Sequence, residues 1–298
     1  MATSHVRGVE SMFLNVAGLS SVKNVEFGLS QSRYLTGTGI NVNAFGFAKR
    51  ISDHGVFGAS INALNFGDIR VTTAALPEGT GGTYSPSFFN LGLSYAHTYE
   101  KVTVGVTAKV VSESISSVSA NTLCLDAAVL YRTGNFNFGV SLRNIGGKMR
   151  FGGEGLSFQQ GNIDGQLPYN LTYEQRSAAF ELPSQLNIGA SYDFKMGKKS
   201  KLSAIGNFTS NAFSRDELGG GLEFSLNDMF ALRGGYKLGL GNASPGVSQN
   251  EVYTGVAAGF SFDVPLKKGT DNKLGIDYSY LPSNPFSGTH NITIRIGM

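Results

Sequence analysis

Along most of the chain, apolar and polar side chains alternate one by one, which is the period of a β-strand and not of a helix. In "ELGGGLEFSLN", Leu218, Leu222, Phe224 and Leu226 share one face while Glu223 and Ser225 take the other. "MFALRGGYKLG", "SQLNIGASYDF" and "VTVGVTAKV" read the same way. The pattern predicts about fourteen strands, near 24–31, 39–49, 56–66, 87–99, 102–112, 121–132, 135–145, 184–195, 201–210, 217–226, 229–239, 252–263, 273–281 and 290–298. Most run nine to twelve residues, longer than the roughly 5–6 of soluble strands and close to the ~9–11 that a tilted strand needs to cross a bilayer.

The chain stops on "HNITIRIGM", with Ile292, Ile294, Ile296 and Met298 on one face and Asn291, Thr293 and Arg295 on the other. Chain ends ordinarily fray and stay polar. A strong alternating strand at the last position reads as the closing strand of a barrel, paired with the first. The connections support this. Short ones such as "YEK", "RTGN", "LND", "KMGKKSK" and "VPLKKGTDN" alternate with longer ones such as "SISSVSA", "LGNASPGVSQN", 68–86 and 146–183. Tight turns on one rim and longer loops on the other mark an outer-membrane barrel. The fold class is therefore all-β, a transmembrane antiparallel up-and-down barrel. An even strand number puts both termini on the short-turn, periplasmic side.

Composition sharpens the picture. Only 15% of the residues are charged, against about 25% in soluble domains, and there are 40 glycines among 298 residues. The polar face is rich in Gly, Ser, Thr and Asn with isolated charges at Lys109, Asp126, Arg143, Glu223, Arg233, Lys237, Asp277 and Arg295. That suits a hydrated, crowded lumen. Tyr95, Tyr99, Tyr131, Tyr192, Tyr236, Tyr278 and Tyr280 fall mainly on the apolar faces, as interfacial aromatics do. A net charge of +3 is too small to argue for nucleic acid. One cysteine, Cys124, and four scattered histidines offer neither a disulfide framework nor metal-ligand spacing. No catalytic, cofactor or metal site is nominated, and no enzymatic activity is expected.

Residues 11–31, "SMFLNVAGLSSVKNVEFGLSQ", resemble the "NPAGLA" segment before the first strand of FadL-like outer-membrane proteins, and more narrowly the PorV/PorQ family of Bacteroidota. Asn15, Ala17, Gly18 and Leu19 match, with Val16 where the family often has Pro. "LGIDYSYLP…GTHNITIRIGM" resembles the family's closing hairpin. The resemblance implies a fourteen-stranded FadL-like barrel at 24–298 and a plug or hatch-like segment at 1–23, in or at the periplasmic mouth. The family's upstream glycine stretch is missing, which implies a chain incomplete at its N-terminus. The function it implies is that of a non-enzymatic subunit of a larger outer-membrane complex, related to type IX secretion or to barrel assembly. Its partners would be outer-membrane lipid, lipopolysaccharide and a larger barrel or lipoprotein. The alternative is a FadL-like channel for hydrophobic small molecules. The charged lumen face argues against a continuous apolar path, and the loops 68–86 and 146–183 are expected to bind a partner or cap the lumen.

Overall fold

The computed structural model describes residues 3–161, 170–197, 199–227, 229–241, 252–266 and 272–298. Its strands are β1 Val25–Arg33, β2 Asn41–Arg50, β3 Gly55–Asn65, β4 Ile69–Arg70, β5 Thr83–Tyr84, β6 Ser87–Tyr99, β7 Val102–Ile115, β8 Val118–Thr133, β9 Phe136–Gly146, β10 Ser157–Gly161, β11 Asn170–Glu174, β12 Gln185–Lys195, β13 Ser200–Asn211, β14 Asp216–Leu226, β15 Phe230–Leu240, β16 Val256–Pro265, β17 Lys273–Leu281 and β18 Thr289–Gly297. Fourteen of them close into one antiparallel barrel in sequence order, with β4–β5 and β10–β11 left as separate two-stranded ribbons.

Closure is made by β18 against β1, with Ile294 opposite Leu29 and Arg295 opposite Gly28. The ladder runs to the last residue. Val25 N donates to Met298 O (3.1 Å), and Met298 N donates to Val25 O (2.8 Å). The terminal strand therefore cannot fray without opening the barrel. Period two then sorts the side chains. Leu29, Ile292, Ile294 and Ile296 point outward and are exposed, as are Leu93, Leu123, Leu232 and Phe262 on other strands. An exposed apolar belt of this kind is what lipid requires of a closed barrel.

The inward face meets the N-terminal segment. Two short 3-10 helices, Gly8–Phe13 and Val16–Ser21, lie inside the barrel. Val9, Met12, Val16, Ala17, Leu19 and Val22 pack there against Ala48, Val56, Ala96, Ala128 and Leu130. Burying such a side chain contributes roughly 1.5–3 kcal/mol, so this interior cluster is the main source of apolar cohesion besides the lipid belt.

Two expectations change in detail. "SISSVSA" is no extended loop. β7 and β8 run on through it to pair Ile115 with Val118, and Ser116, at a left-handed φ of 53°, makes the turn. The stretches 68–86 and 146–183 are partly structured, carrying the β4–β5 and β10–β11 ribbons. In the second, Met149 pairs with Phe180 (Met149 N to Phe180 O, 2.7 Å). Met149 packs with Val111, Ala120 and Cys124 of the barrel's inner face, against Phe151, Phe180 and Leu182. Part of this loop therefore folds down over the β7–β8 side of the long-loop mouth. The connections "LGNASPGVSQN" and "VPLKKGTDN" lie largely outside the described residues.

An arginine at a lipid-facing position tests the orientation. Ile294→Arg is expected to destabilise the barrel by about 2–4 kcal/mol, read by urea unfolding in lipid vesicles. No loss would mean that this face does not meet hydrocarbon.

Candidate functional site

The lumen is built around the docked N-terminal segment. Gly28, Gly46, Gly58, Gly105, Gly139 and Gly189 all face it from different strands. A β-carbon on Gly28 or Gly46 would lie 2.7 or 2.6 Å from Val9, and on Gly58 2.6 Å from Met12. On Gly105 it would lie 2.7 Å from the backbone nitrogen of Ala17, and on Gly139 2.7 Å from the carbonyl of Thr3. These glycines form an arc a few residues in from the short-turn rim, and the segment seats in it backbone against backbone.

The family-motif residues hold this seat. Asn15 caps the second helix, its Oδ1 accepting from Ala17 N at 3.1 Å. Its Nδ2 donates to Thr3 O at 2.8 Å. Ala17 and Leu19 are fully buried. Gly18 has no room for a side chain, with Ser11 Cβ and Val6 O both 2.6 Å from where its Cβ would be. Arg50 straps the exit of the segment, donating from Nε to Val22 O (2.9 Å) and from Nη2 to Ser20 O (2.6 Å).

The opposite arc of the lumen is charged. Arg233 bonds Glu223 at 2.6 Å, and Arg295 bonds Asp277 at 2.6 Å and Asp263 at 3.1 Å. Ser261 also donates to Asp277. Lys237 pairs with Glu217 at 2.6 Å. On the other side, Lys109 pairs with Asp126 at 2.8 Å. Arg143 faces inward opposite Gln185 in register and joins no ion pair among the described residues. All eight sequence-identified lumen charges therefore sit on inward positions, and seven of them are paired. The N-terminal segment contributes charges that alternation could not reveal, because that segment has no strand period. His5 Nε2 lies 3.0 Å from Glu223 Oε1. From β1, Glu26 accepts from the segment's Val9 N at 3.1 Å. Glu10 projects from the first helix with its carboxylate 3.9 Å from Arg295 Nε.

Between the segment and the β13–β17 wall lies a cavity of about 390 Å³. Ile205, Gly221, Gly235, Ala257 and Gly259 line it from inward positions, with Glu10, Glu223 and Asp277 at its charged end. It also meets Leu222 and Tyr236 of the outward face. The wall is thin there, because Gly220, Gly221, Gly234 and Gly235 place no side chain on either side. Toward the short-turn mouth, a second cavity of about 660 Å³ shares Glu10, Glu223, Arg233 and Asp277 with the first and adds Arg7, Lys201 and Lys273. Among the described residues, no group of His, Cys, Asp and Glu could hold a metal ion.

The chain is thus a closed fourteen-strand antiparallel barrel with its N-terminal segment docked inside, and its fold is that of FadL-like barrels. The comparisons with solved structures agree. The toluene transporter TodX of Pseudomonas putida superposes with a TM-score of 0.59 at 13% identity, covering 99% of this chain and 94% of that one. The toluene transporter TbuX of Ralstonia pickettii gives 0.57 at 14%, over 97% and 93%. A FadL homologue of Pseudomonas aeruginosa gives 0.53 at 12%, over 99% and 95%. No family model matches the chain, and no curated protein sequence does.

These neighbours correct the expectation of a secretion- or assembly-complex subunit. They are toluene transporters and a FadL homologue, so they favour the alternative, a channel for hydrophobic small molecules. Most of the lumen charges are neutralised in pairs along the wall, with small and apolar residues between them.

Two outcomes test the docked segment. Gly105→Val, which meets backbone, is expected to displace it and to raise protease cleavage near Arg7. Gly206→Ala, whose β-carbon meets nothing within 4 Å, should not. The second test is pH. Burial, followed by the Asp277 carboxylate, pushes the Glu10 carboxyl up from 4.5 to about 7, with Arg295 and Arg233 opposing and Glu26 adding to the rise. The docked state therefore holds a proton that the released state gives up. This contribution is complete below about 4.5 and is lost as pH rises through about 7. Protease access to the segment should be greater at pH 8 than at pH 5, and Glu10→Gln should flatten that difference.

Proposed function

We propose that the chain is an outer-membrane channel for small hydrophobic solutes. The observation that carries this reading is the lumen cavity beside the plug, small-residue-lined and reaching both faces of a thin wall. A cavity lined mainly by apolar groups with a few convergent polar ones is the usual form of a small-molecule site. The fold likeness to toluene transporters supports the same reading. On it, the short-turn rim and both termini face the periplasm, the outer belt meets outer-membrane lipid, and the N-terminal segment sits across the path between the cavity and the periplasmic mouth. No catalytic chemistry is assigned. The Asn15, Ala17, Gly18 and Leu19 match to PorV/PorQ proteins is taken as a statement about ancestry, with a structural role for those residues.

Uptake by whole cells decides the matter. Expression in a strain lacking hydrophobic-solute channels should speed the entry of radiolabelled toluene several-fold. Ala257→Phe, which fills the cavity from an inward position, should abolish the gain while leaving the amount of folded barrel unchanged. Equal uptake with and without the protein would sink the proposal.

A further inference from the structure

The cavity has an electrostatic bias that its apolar lining does not suggest. Both arginines at its charged end are committed. Arg233 Nε is bonded to Glu223 at 2.6 Å, with its Nη1 3.7 Å from Asp277. Arg295 is held by Asp277 and Asp263. Glu223 is held in addition by His5. Glu10 is different. Its carboxylate takes part in no hydrogen bond among the described residues, and Arg295 at 3.9 Å is the cation recorded beside it. It lies where the 390 Å³ and 660 Å³ cavities meet, so its oxygens face open space of ligand size. Of the charged residues lining the 390 Å³ cavity, Glu10, Glu223 and Asp277 outnumber Arg233 by two, whereas the cations Arg7, Lys23, Lys201 and Lys273 line the 660 Å³ cavity toward the short-turn mouth.

A solute seated in the 390 Å³ cavity with a carboxylate head would meet acids in excess and one guanidinium, that of Arg233, already bonded to Glu223. An ammonium head would meet a carboxylate with its lone pairs free, in a setting where one charge-assisted hydrogen bond is about twice as strong as a neutral one. The apolar body would lie against Ile205, Ala257 and the glycine-lined wall.

Resting on the reading of this cavity as the solute site, we propose that it selects apolar molecules bearing an ammonium group over those bearing a carboxylate, and that Glu10 is the residue that recognises the head. Glu10 is then a specificity-determining residue carried on the plug, so recognition and the seating of the N-terminal segment share one side chain.

The test is calorimetric binding to the purified barrel in a non-ionic detergent at pH 8, with decylamine, decanol and decanoate as probes of one chain length. Decylamine is expected to bind roughly tenfold tighter than decanol, the equivalent of ~1.4 kcal/mol, and decanoate more weakly than either. Glu10→Gln should bring the decylamine-to-decanol ratio to about one, and Glu10→Asp should retain most of it. Decanoate binding as tightly as decylamine would overturn the inference, as would an unchanged ratio in Glu10→Gln. The wild-type comparison of the three probes decides the point even if the variant fails to fold. Binding of all three without discrimination would remove this inference and leave the hydrophobic-channel reading standing. No binding of any probe would remove both.

Discussion

An unpaired backbone N–H or C=O in hydrocarbon costs several kcal/mol, and lipid offers nothing to pair it with. Everything else in this chain is arranged around that constraint. It forces the strands to close on themselves, so the last strand must meet the first, and the Val25–Met298 exchange completes the ring. Closure in turn sorts the side chains, leaving a mainly apolar outer face and gathering the paired charges in the lumen. A barrel of this size would then enclose a void too wide for its own side chains to fill. The N-terminal segment fills part of it, and the glycine arc exists because a backbone must pack against a backbone there.

Confinement also decides how the charges behave. Inside a lumen with low-dielectric walls an unpaired charge is expensive, and removing one partner of a buried pair costs far more than the pair itself contributes. Glu223–Arg233 and Asp277–Arg295 are cross-wall pairs, and the plug adds His5 to the first of them. The ionic arc is thus part of the plug's docking surface as well as of the wall. Glu10 is the member of this group left without a hydrogen bond among the described residues, and it lies where the two cavities meet.

How much of this could be read from sequence follows from what period two encodes. It encodes faces, so the fourteen strands, the closing role of Ile292, Ile294, Ile296 and Met298, and the inward placement of Lys109, Asp126, Arg143, Glu223, Arg233, Lys237, Asp277 and Arg295 were all legible. It does not encode register between strands. Whether Arg233 finds Glu223, or Lys237 finds Glu217, depends on alignment across a turn. The glycine arc was hidden for the same reason, since Gly28, Gly105 and Gly189 become neighbours of one object only when the barrel closes. His5 and Glu10 lie in a segment without strand period, and only its short family motif marked it as structured.

The position of the cavity follows from the same register. At the level where β1, β2, β3, β7 and β9 present Gly28, Gly46, Gly58, Gly105 and Gly139, the strands across the lumen present Glu223, Arg233, Asp277 and Arg295. The plug must turn its apolar side, Val9, Met12 and Leu19, to the first arc and its polar side, His5 and Glu10, to the second. One step further from the short-turn rim the charged arc gives way to Ile205, Gly221, Gly235, Ala257 and Gly259. The plug does not reach across to these residues, so the space stays open. The void is therefore a consequence of where large and small inward residues alternate in height along β13–β17, and its charged floor and apolar upper wall are two successive rows of one sheet.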